Sequence, residues 1–357
     1  MIYAMPHLDP ALRKSLDELD RLRTTLGHEV TKPSPWLGTL RRQMKVSSVA
    51  SSVSIEGFTV PDGEATATIS SGATDARDDN RNAIACYAHA MDHVGILALD
   101  PVFEWTDRVI LDLHFDACSF QRDKSPGHWR TDSIRVTAPG GGIAYEAPDS
   151  DTVVPLMTEV VEWLKDGDRD SHVVIRGAMA HLHTVSVHPF RDGNGRISRI
   201  VQSLVLARDG LLSPELSSIE EYLAENTSEY YAALQAVQGG RYQPERDASE
   251  WVHFCVRAHL AQAGRRLSQV AAAGKRWSGL EALVEGRGWP DRMVIALEQS
   301  LVGGTDRTSY GQEADVSTAT ASTDLRRLLD AGLITARGRG RAIRYHASDG
   351  LKKHIQA

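Results

Sequence analysis

Cysteine is scarce in this chain of 357 residues: Cys86, Cys118 and Cys255 are its three, and no CxxC spacing occurs. That scarcity excludes a disulfide framework and a thiolate zinc site, fits a reducing compartment, and leaves the thiols as core filler. No apolar run reaches roughly the 18–20 residues of a spanning helix. The opening MIYAMPHLDPALRK has no signal-peptide apolar stretch, so a cytoplasmic protein without membrane contact is expected. Neither GxxxxGK[ST] nor a strand followed by GxGxxG is found, so both usual nucleotide loops are absent. Heptads that would specify a coiled coil are absent too. Positive charge is not in excess either. Forty basic against 47 acidic residues leave a net charge of −7, which excludes a chain that coats nucleic acid throughout but permits a local basic patch. Hydrophobic residues at 41% and charged residues at 24% are those of an ordinary globular protein. The length suggests two or three domains.

What is present is mainly helical periodicity. Leu16, Leu19, Leu22 and Leu26 recur at three- and four-residue steps, and LRRQMKVSSVASSVSIEG predicts a second helix ending at Gly57. FTVPDGEATATISSGATD, poor in bulky apolar residues, reads as a connector. GHWRTDSIRVTAPGGGIAYEAP alternates as a hairpin around a glycine-rich turn. The last seventy residues read as helix, helix, turn, helix and a two-stranded wing, a pattern resembling a winged helix-turn-helix domain. There Val316 to Ala319 supply the turn, Leu325, Leu328 and Leu329 the packed face, and Gly332 the helix cap. The expected division is 1–100 an N-terminal helical region, 101–245 a core, 246–289 linking helices and 290–357 the winged helix.

Chemistry is concentrated in HPFRDGNGRISR, residues 188–199. A loop rich in Gly, Asp and Asn running into a helical stretch is the sequence form of an anion cradle, where free backbone N–H groups and the helix dipole face a negative ligand. Phosphate is the expected anion. Arg196 and Arg199, three apart, share one helix face and can grip one polyanion, while Ile197, Ile200 and Leu204 turn toward the core. Gly193 and Gly195 let a ligand approach the main chain, and Asn194 tolerates turn geometry. Asp192 offers a hard oxygen beside the anion, the usual way of holding Mg²⁺ on phosphates. His188 is suited to take a proton from an attacking hydroxyl. Transfer involving a nucleoside polyphosphate follows. His181, His183, His188 and Asp192 could also be read as a metal set, but His181 and His183 are two apart on a helix and point to different sides.

These residues resemble the Fic-domain proteins, whose motif HPFxDGNGRxxR is matched by His188, Pro189, Phe190, Asp192, Gly193, Asn194, Gly195, Arg196 and Arg199. The resemblance implies a mainly α fold, a Fic-type helical core with a β-hairpin flap, and transfer of AMP from ATP to a Ser, Thr or Tyr hydroxyl of a target protein. It implies His188 as general base, Asp192 as Mg²⁺ ligand, and Gly193, Asn194 and Gly195 as cradle for the α- and β-phosphates. Arg196 would take the β-phosphate and Arg199 the γ-phosphate, with Phe190 an apolar anchor. The hairpin resembles the family's flap, against which a target segment adds as a strand. IEEYLAENTSEYYAALQ resembles the helix after the core and implies Asn226, Tyr230 and Tyr231 near the adenine or ribose. The likeness covers roughly residues 10–255 and leaves cytidine- or uridine-based donors open.

SSVSIEG, residues 51–57, resembles the family's inhibitory pattern [ST]xxxE[GN] through Ser52, Glu56 and Gly57, on an expected helix of about 42–57. It implies an ion pair from Glu56 to Arg199 that withholds this arginine from the γ-phosphate. Some family members use that glutamate to remove AMP from a target, so a de-AMPylating enzyme stays open. In the winged helix, Thr320, Ser322, Thr323, Arg326 and Arg327 lie on the expected recognition helix and Arg337, Arg339, Arg341 and Arg344 on the wing, available to DNA. A DNA-binding regulator whose core senses nucleotide is the alternative function. A homodimer is expected, as in many family members.

Overall fold

Helix ends here are written in side chains that cap them. Asp78 accepts from the backbone N–H groups of Asn80 and Arg81, Thr106 from Val109, Asp306 from Thr308 and Ser309, and Ser317 from Thr320. A computed structural model describes every residue except 62, 73–76, 138–140, 339, 341–342 and 357. Gly140 of the glycine run, and Arg339 and Arg341, therefore lie outside the described residues. The chain divides into two units, Met1–His28 with Met44–Arg266, and Glu29–Gln43 with Leu267–Ala357.

The first unit begins with α1 (Pro10–Thr31), α2 (Leu37–Ser54), α3 (Glu64–Ser71), α4 (Asp79–Leu99) and α5 (Asp107–Cys118). The antiparallel hairpin β1 (Arg135–Thr137) and β2 (Ile143–Glu146) follows, with Arg135 opposite Glu146 and Val136 opposite Tyr145. Then come α6 (Val153–Asp166), α7 (Val173–Val187), α8 (Asn194–Arg208), α9 (Pro214–Ser217), α10 (Glu220–Glu225) and α11 (Thr227–Gln238). At its centre α7 and α8 are buried almost all round, the pattern of helices with protein on every side. One apolar cluster packs Ile197, Ile200 and Leu204 of α8 against α4, α5 and α6. A second packs Leu182 of α7 with Leu16 and Leu19 of α1, Tyr230 and Trp251. Leu16, Leu19 and Leu26 are buried as the leucine spacing requires.

Several expectations differ from what is observed. The stretch read as a connector contains α3, which buries Ala65 and Thr68 between Gly63 (φ +83°) and Gly72 (φ +59°); small side chains pack closely without bulk. Gly57 (φ +89°) caps α2 as expected, its N–H donating to the Ser54 carbonyl at 3.0 Å and that of Phe58 to the Val53 carbonyl at 3.2 Å. The helix expected after the core is two, parted at Asn226 (φ −121°, ψ 38°). Residues 246–289 hold one helix, α12 (Ser249–Glu285), whose glycines do not interrupt it; its residues after Arg266 count with the second unit, as do 29–43.

The second unit adds α13 (Met293–Val302), α14 (Arg307–Glu313), α15 (Thr318–Asp330), the antiparallel hairpin β3 (Ile334–Arg337) and β4 (Arg344–Ala347), and α16 (Asp349–Gln356). Met293, Leu297, Tyr310, Ala321, Leu325, Leu328 and Ile334 make its core. The turn before α15 precedes Thr318, with Asp315 at φ +50°, so Thr318 and Ala319 are helical. Leu329 is exposed, not packed, because the buried stripe follows Ala321, Leu325 and Leu328. Gly332 (φ +69°) donates to the Leu329 carbonyl and ends the helix.

Candidate active site

The turn between α7 and α8 is built to hold two things still, a histidine and a ring of backbone donors. His188 ends α7 with a left-handed backbone (φ +51°) that non-glycine residues seldom adopt, its N–H donating to the Thr184 carbonyl at 3.1 Å. Its Nδ1 lies 3.1 Å from the Val185 carbonyl. A carbonyl only accepts, so Nδ1 carries the proton and Nε2 keeps its lone pair. Burial pulls the imidazole down to about 4, so the ring is neutral at physiological pH.

The loop beyond it is stapled by Asn194. Its Oδ1 accepts from Phe190 N at 2.9 Å and its Nδ2 donates to Phe190 O at 2.8 Å, which spends the side chain on the loop itself. Phe190 is fully buried, stacked on His114 with centroids 3.5 Å apart, and tilted against Trp129. Gly193 stands at φ +75°, and a Cβ there would collide with Cys118 Sγ, so this position requires glycine. From Asn194 onward α8 presents the backbone donors of its first turn, Asn194, Gly195 and Arg196, which have no partner inside the helix. Asp192 sits at their edge, half-buried. Its Oδ1 accepts from Gly193 N at 2.8 Å and its Oδ2 from Gln121 Nε2 at 2.6 Å.

Arg196 and Arg199 are both buried and both held by one carboxylate. Glu56 Oε2 accepts from Arg196 Nε at 2.5 Å and Oε1 from Arg199 Nη2 at 2.8 Å. The Ser52 hydroxyl and carbonyl accept from Arg199 at 2.7 and 3.0 Å. Arg196 Nη2 also donates to Gln121 Oε1 at 2.8 Å, and its guanidinium lies over the rings of Phe58 and Phe120. Burial depresses the Arg199 guanidinium, and the Glu56 carboxylate together with Tyr230 and Tyr87 outweighs that, holding it above its ordinary value. The expected contact to Arg199 is present; the contact to Arg196 was not foreseen, although two arginines on one face three residues apart suit the two oxygens of a carboxylate.

Tyr230 is buried, its hydroxyl 3.1 Å from His181 Nε2, whereas Tyr231 is half exposed beside it. Asn226 donates to the Tyr222 carbonyl at 2.8 Å. His181 and His183 are both packed in the core: His181 binds Gln202 and Tyr230, and His183 lies edge-on to Trp163. Thr323, Arg326 and Arg327 are exposed on α15 in the second unit.

Two residues escaped the reading of the sequence. Arg130 lies in GHWRTD, and its guanidinium donates to the carbonyls of His188 at 2.7 Å, Asp132 at 2.8 Å and Pro148 at 2.6 Å. Its backbone N–H donates to Pro189 O at 2.9 Å, so one residue ties the 188–199 loop to both ends of the β1–β2 hairpin. His114, on α5, is drawn down to about 4 by burial; its Nδ1 accepts from Gly127 N at 2.9 Å and its Nε2 meets Asp192 O at 3.0 Å. Side chains aimed at distant carbonyls leave no periodic trace.

A magnesium ion fits this donor set. Among the described residues no three His, Cys, Asp or Glu side chains converge as a cage. Asp192 nevertheless puts one hard carboxylate beside a phosphate-sized nest, and Mg²⁺ on nucleotides takes few protein ligands.

Residues 104–206 match the Fic/DOC family model. Among curated proteins the chain is 28% identical over 245 residues to protein adenylyltransferase fic-1 of Caenorhabditis briggsae, covering 65% of this chain and 44% of that protein. It is 26% identical over 241 residues to protein adenylyltransferase Fic of Aedes aegypti, covering 67% and 45%. The chain thus spans less than half the length of the curated relatives it matches. Among solved structures it resembles a Fic family protein from Desulfovibrio desulfuricans G20, with a TM-score of 0.63 at 19% identity over 97% of this chain and 99% of that one. It also resembles residues 134–508 of Fic-1 from C. elegans, with a TM-score of 0.59 at 24% identity over 73% of each. Both likenesses are of fold.

Proposed function

We propose that this chain, which carries a Fic domain over residues 104–206, transfers AMP from ATP to a hydroxyl side chain of a protein. The observation that carries the reading is His188 held with its Nε2 lone pair free beside the open N-terminus of α8. A hydroxyl oxygen attacks the α-phosphorus, its proton passes to His188 Nε2, and the bond from that phosphorus to the pyrophosphate oxygen breaks. The N–H groups of Asn194, Gly195 and Arg196 receive the phosphate oxygens, and Arg196 and Arg199 compensate charge toward the leaving pyrophosphate. Asp192 would hold Mg²⁺, which supplies charge neutralisation on the phosphates when bound. Tyr231 and Asn226 border the nucleoside. The names of the curated relatives support adenylyl transfer and ATP as donor.

The target enters as a strand. The outer edge of β2 is engaged, with Glu146 N donating to Gly240 O at 2.9 Å and Glu146 bridged to Arg241, which leaves β1 to pair with a target segment. Glu56 is the brake, because a carboxylate on both motif arginines occupies the cations that the β- and γ-phosphates need. The test is incorporation of label from ATP carrying the radiolabel on its α-phosphate, in wild type, Glu56→Gly, and Glu56→Gly with His188→Ala. Label strongest in Glu56→Gly and lost in the double variant supports the reading; no label in any of them overturns it.

A further inference from the structure

We propose that the C-terminal unit binds duplex DNA, with the exposed face of α15 in the major groove and the β3–β4 wing on the flanking phosphates. Charge separation along the chain is the first ground. The protein as a whole is acidic, yet residues 318–357 hold eight Lys and Arg against three Asp and Glu. A local reversal of sign on an acidic chain marks a polyanion site.

The second ground is how α15 disposes of its own acids. Asp324, in mid-helix, is turned inward: its Oδ2 accepts from Arg292 Nε at 2.8 Å and from the Tyr310 hydroxyl at 2.9 Å, and it is buried. Asp330 stands at the last position of the helix. The outer face from the N-terminus is therefore Thr318, Ala319, Thr323, Arg326 and Arg327, all exposed, and its one exposed acid, Asp330, falls in the last turn beside the two arginines. Among the described residues neither Arg326 nor Arg327 has an ion-pair partner. Small hydroxyl and methyl groups in the first two turns followed by paired arginines suit base edges first and phosphates beyond.

The wing supplies the third ground. Arg337 and Arg344 are direct cross-strand partners in the β3–β4 register, and both are exposed. Like charges directly opposite destabilise a sheet, so the pair costs stability that an anion placed on it recovers. The crowding is felt nearby, where burial and the charges of Arg337, Arg344 and Lys352 hold the His346 imidazole below its ordinary range. An edge needs one charge to stay soluble, not two facing each other.

The experiment is fluorescence anisotropy of the full-length protein with a labelled random-sequence duplex of about 30 bp, from about 50 to about 200 mM salt. Four phosphate contacts predict a log–log salt slope of about −4, a loss of affinity of roughly 100-fold across that range. Arg326→Ala with Arg327→Ala, and Arg337→Ala with Arg344→Ala, should each flatten the slope by about 2. The wing variant should melt no lower than wild type, since it removes a repulsion. Absence of binding at ~100 µM protein in low salt overturns the proposal. So does a slope unchanged in both variants, or a single strand of the same length bound as tightly as the duplex. None of these readouts depends on AMP transfer, so the two proposals stand or fall separately.

Discussion

Replacing Glu56 by glycine should make the apo protein less stable and more active at once. The carboxylate lies 2.5 Å from Arg196 Nε and 2.8 Å from Arg199 Nη2, and those side chains are 0% and 2% exposed. Stripping the anion from a buried cluster costs about 3–5 kcal/mol when the charges left behind are sealed. Here the Glu56 side chain is 18% exposed, so water reaches the gap and the low end, about 3 kcal/mol, applies. In a chain of this size that lowers the melting temperature by roughly 4 °C. On the proposed reading productive ATP binding displaces the Glu56 contacts, and one charged hydrogen bond contributes about 1.5–3 kcal/mol net. Sparing the nucleotide about 2 kcal/mol of that competition raises AMP incorporation about 30-fold. The two effects are linked through the ligand. Mg-ATP at about 100 times its dissociation constant stabilises by about 2.7 kcal/mol, so it should restore most of the melting temperature lost in Glu56→Gly while shifting wild type far less. Differential scanning fluorimetry with and without Mg-ATP, alongside label incorporation, measures both. A variant that melts like wild type, gains no larger ATP shift and labels no faster would refute the reasoning.

His188→Ala in the Glu56→Gly background should lower transfer by about 10²–10⁴-fold, measured as initial label incorporation. Because burial holds His188 near 4 and the base must be neutral, kcat/KM should stay level on going from neutral to mildly acidic pH; an acid limb at the ordinary histidine value would contradict the geometry. Arg130→Gln, which removes bonds to the carbonyls of His188, Asp132 and Pro148, should cut kcat with KM for ATP little changed. It should also move the acid limb upward, since the positive charge that depresses His188 is gone. A kcat equal to the parent's would sink that positioning role, and Arg130→Lys should restore part of it. His183, buried with neither ring nitrogen hydrogen-bonded and held down to about 3 by burial, binds its proton in the unfolded chain long before it does in the folded one. Stability is therefore lost as pH falls below 6.5, by about 2 kcal/mol at pH ~5 for this residue. His183→Leu should remove that share in denaturant titrations at pH ~7 and ~5, and an unchanged difference would refute it.

The 188–199 loop was legible because its chemistry is contiguous: a histidine, an aspartate, two glycines and three arginines in twelve positions fix an anion cradle before any fold is known. Helix faces were legible where bulky residues repeat, as in α1. Legibility failed where packing uses small residues, as in α3, and where a break falls at an asparagine without a neighbouring Gly or Pro, as between α10 and α11. It failed again for Arg130 and His114, whose partners are backbone groups far along the chain. The double grip of Glu56 lay between these cases. Its pattern pointed to Arg199, and the helical spacing of Arg196 and Arg199 already placed a second cation within reach of the other carboxylate oxygen.

If Glu56 acts as the proposed brake, that double grip also accounts for its release. Two arginines buried to this depth are costly to leave without an anion, by the same few kcal/mol that Glu56→Gly should lose. At rest the Glu56 carboxylate fills the need, its two oxygens matching the two guanidinium groups. When the nucleotide enters, phosphate oxygens are the replacement. On the proposed reading, inhibition and release are an exchange of one anion for another at a cation pair held in place by other partners, Gln121 for Arg196 and Ser52 for Arg199. The exchange leaves the buried charge compensated at both ends, so its free energy is the difference between two similar sets of charged hydrogen bonds rather than the full strength of either. A difference of 1–3 kcal/mol is the scale on which a modest displacement of the Ser52–Glu56 segment turns such a site on.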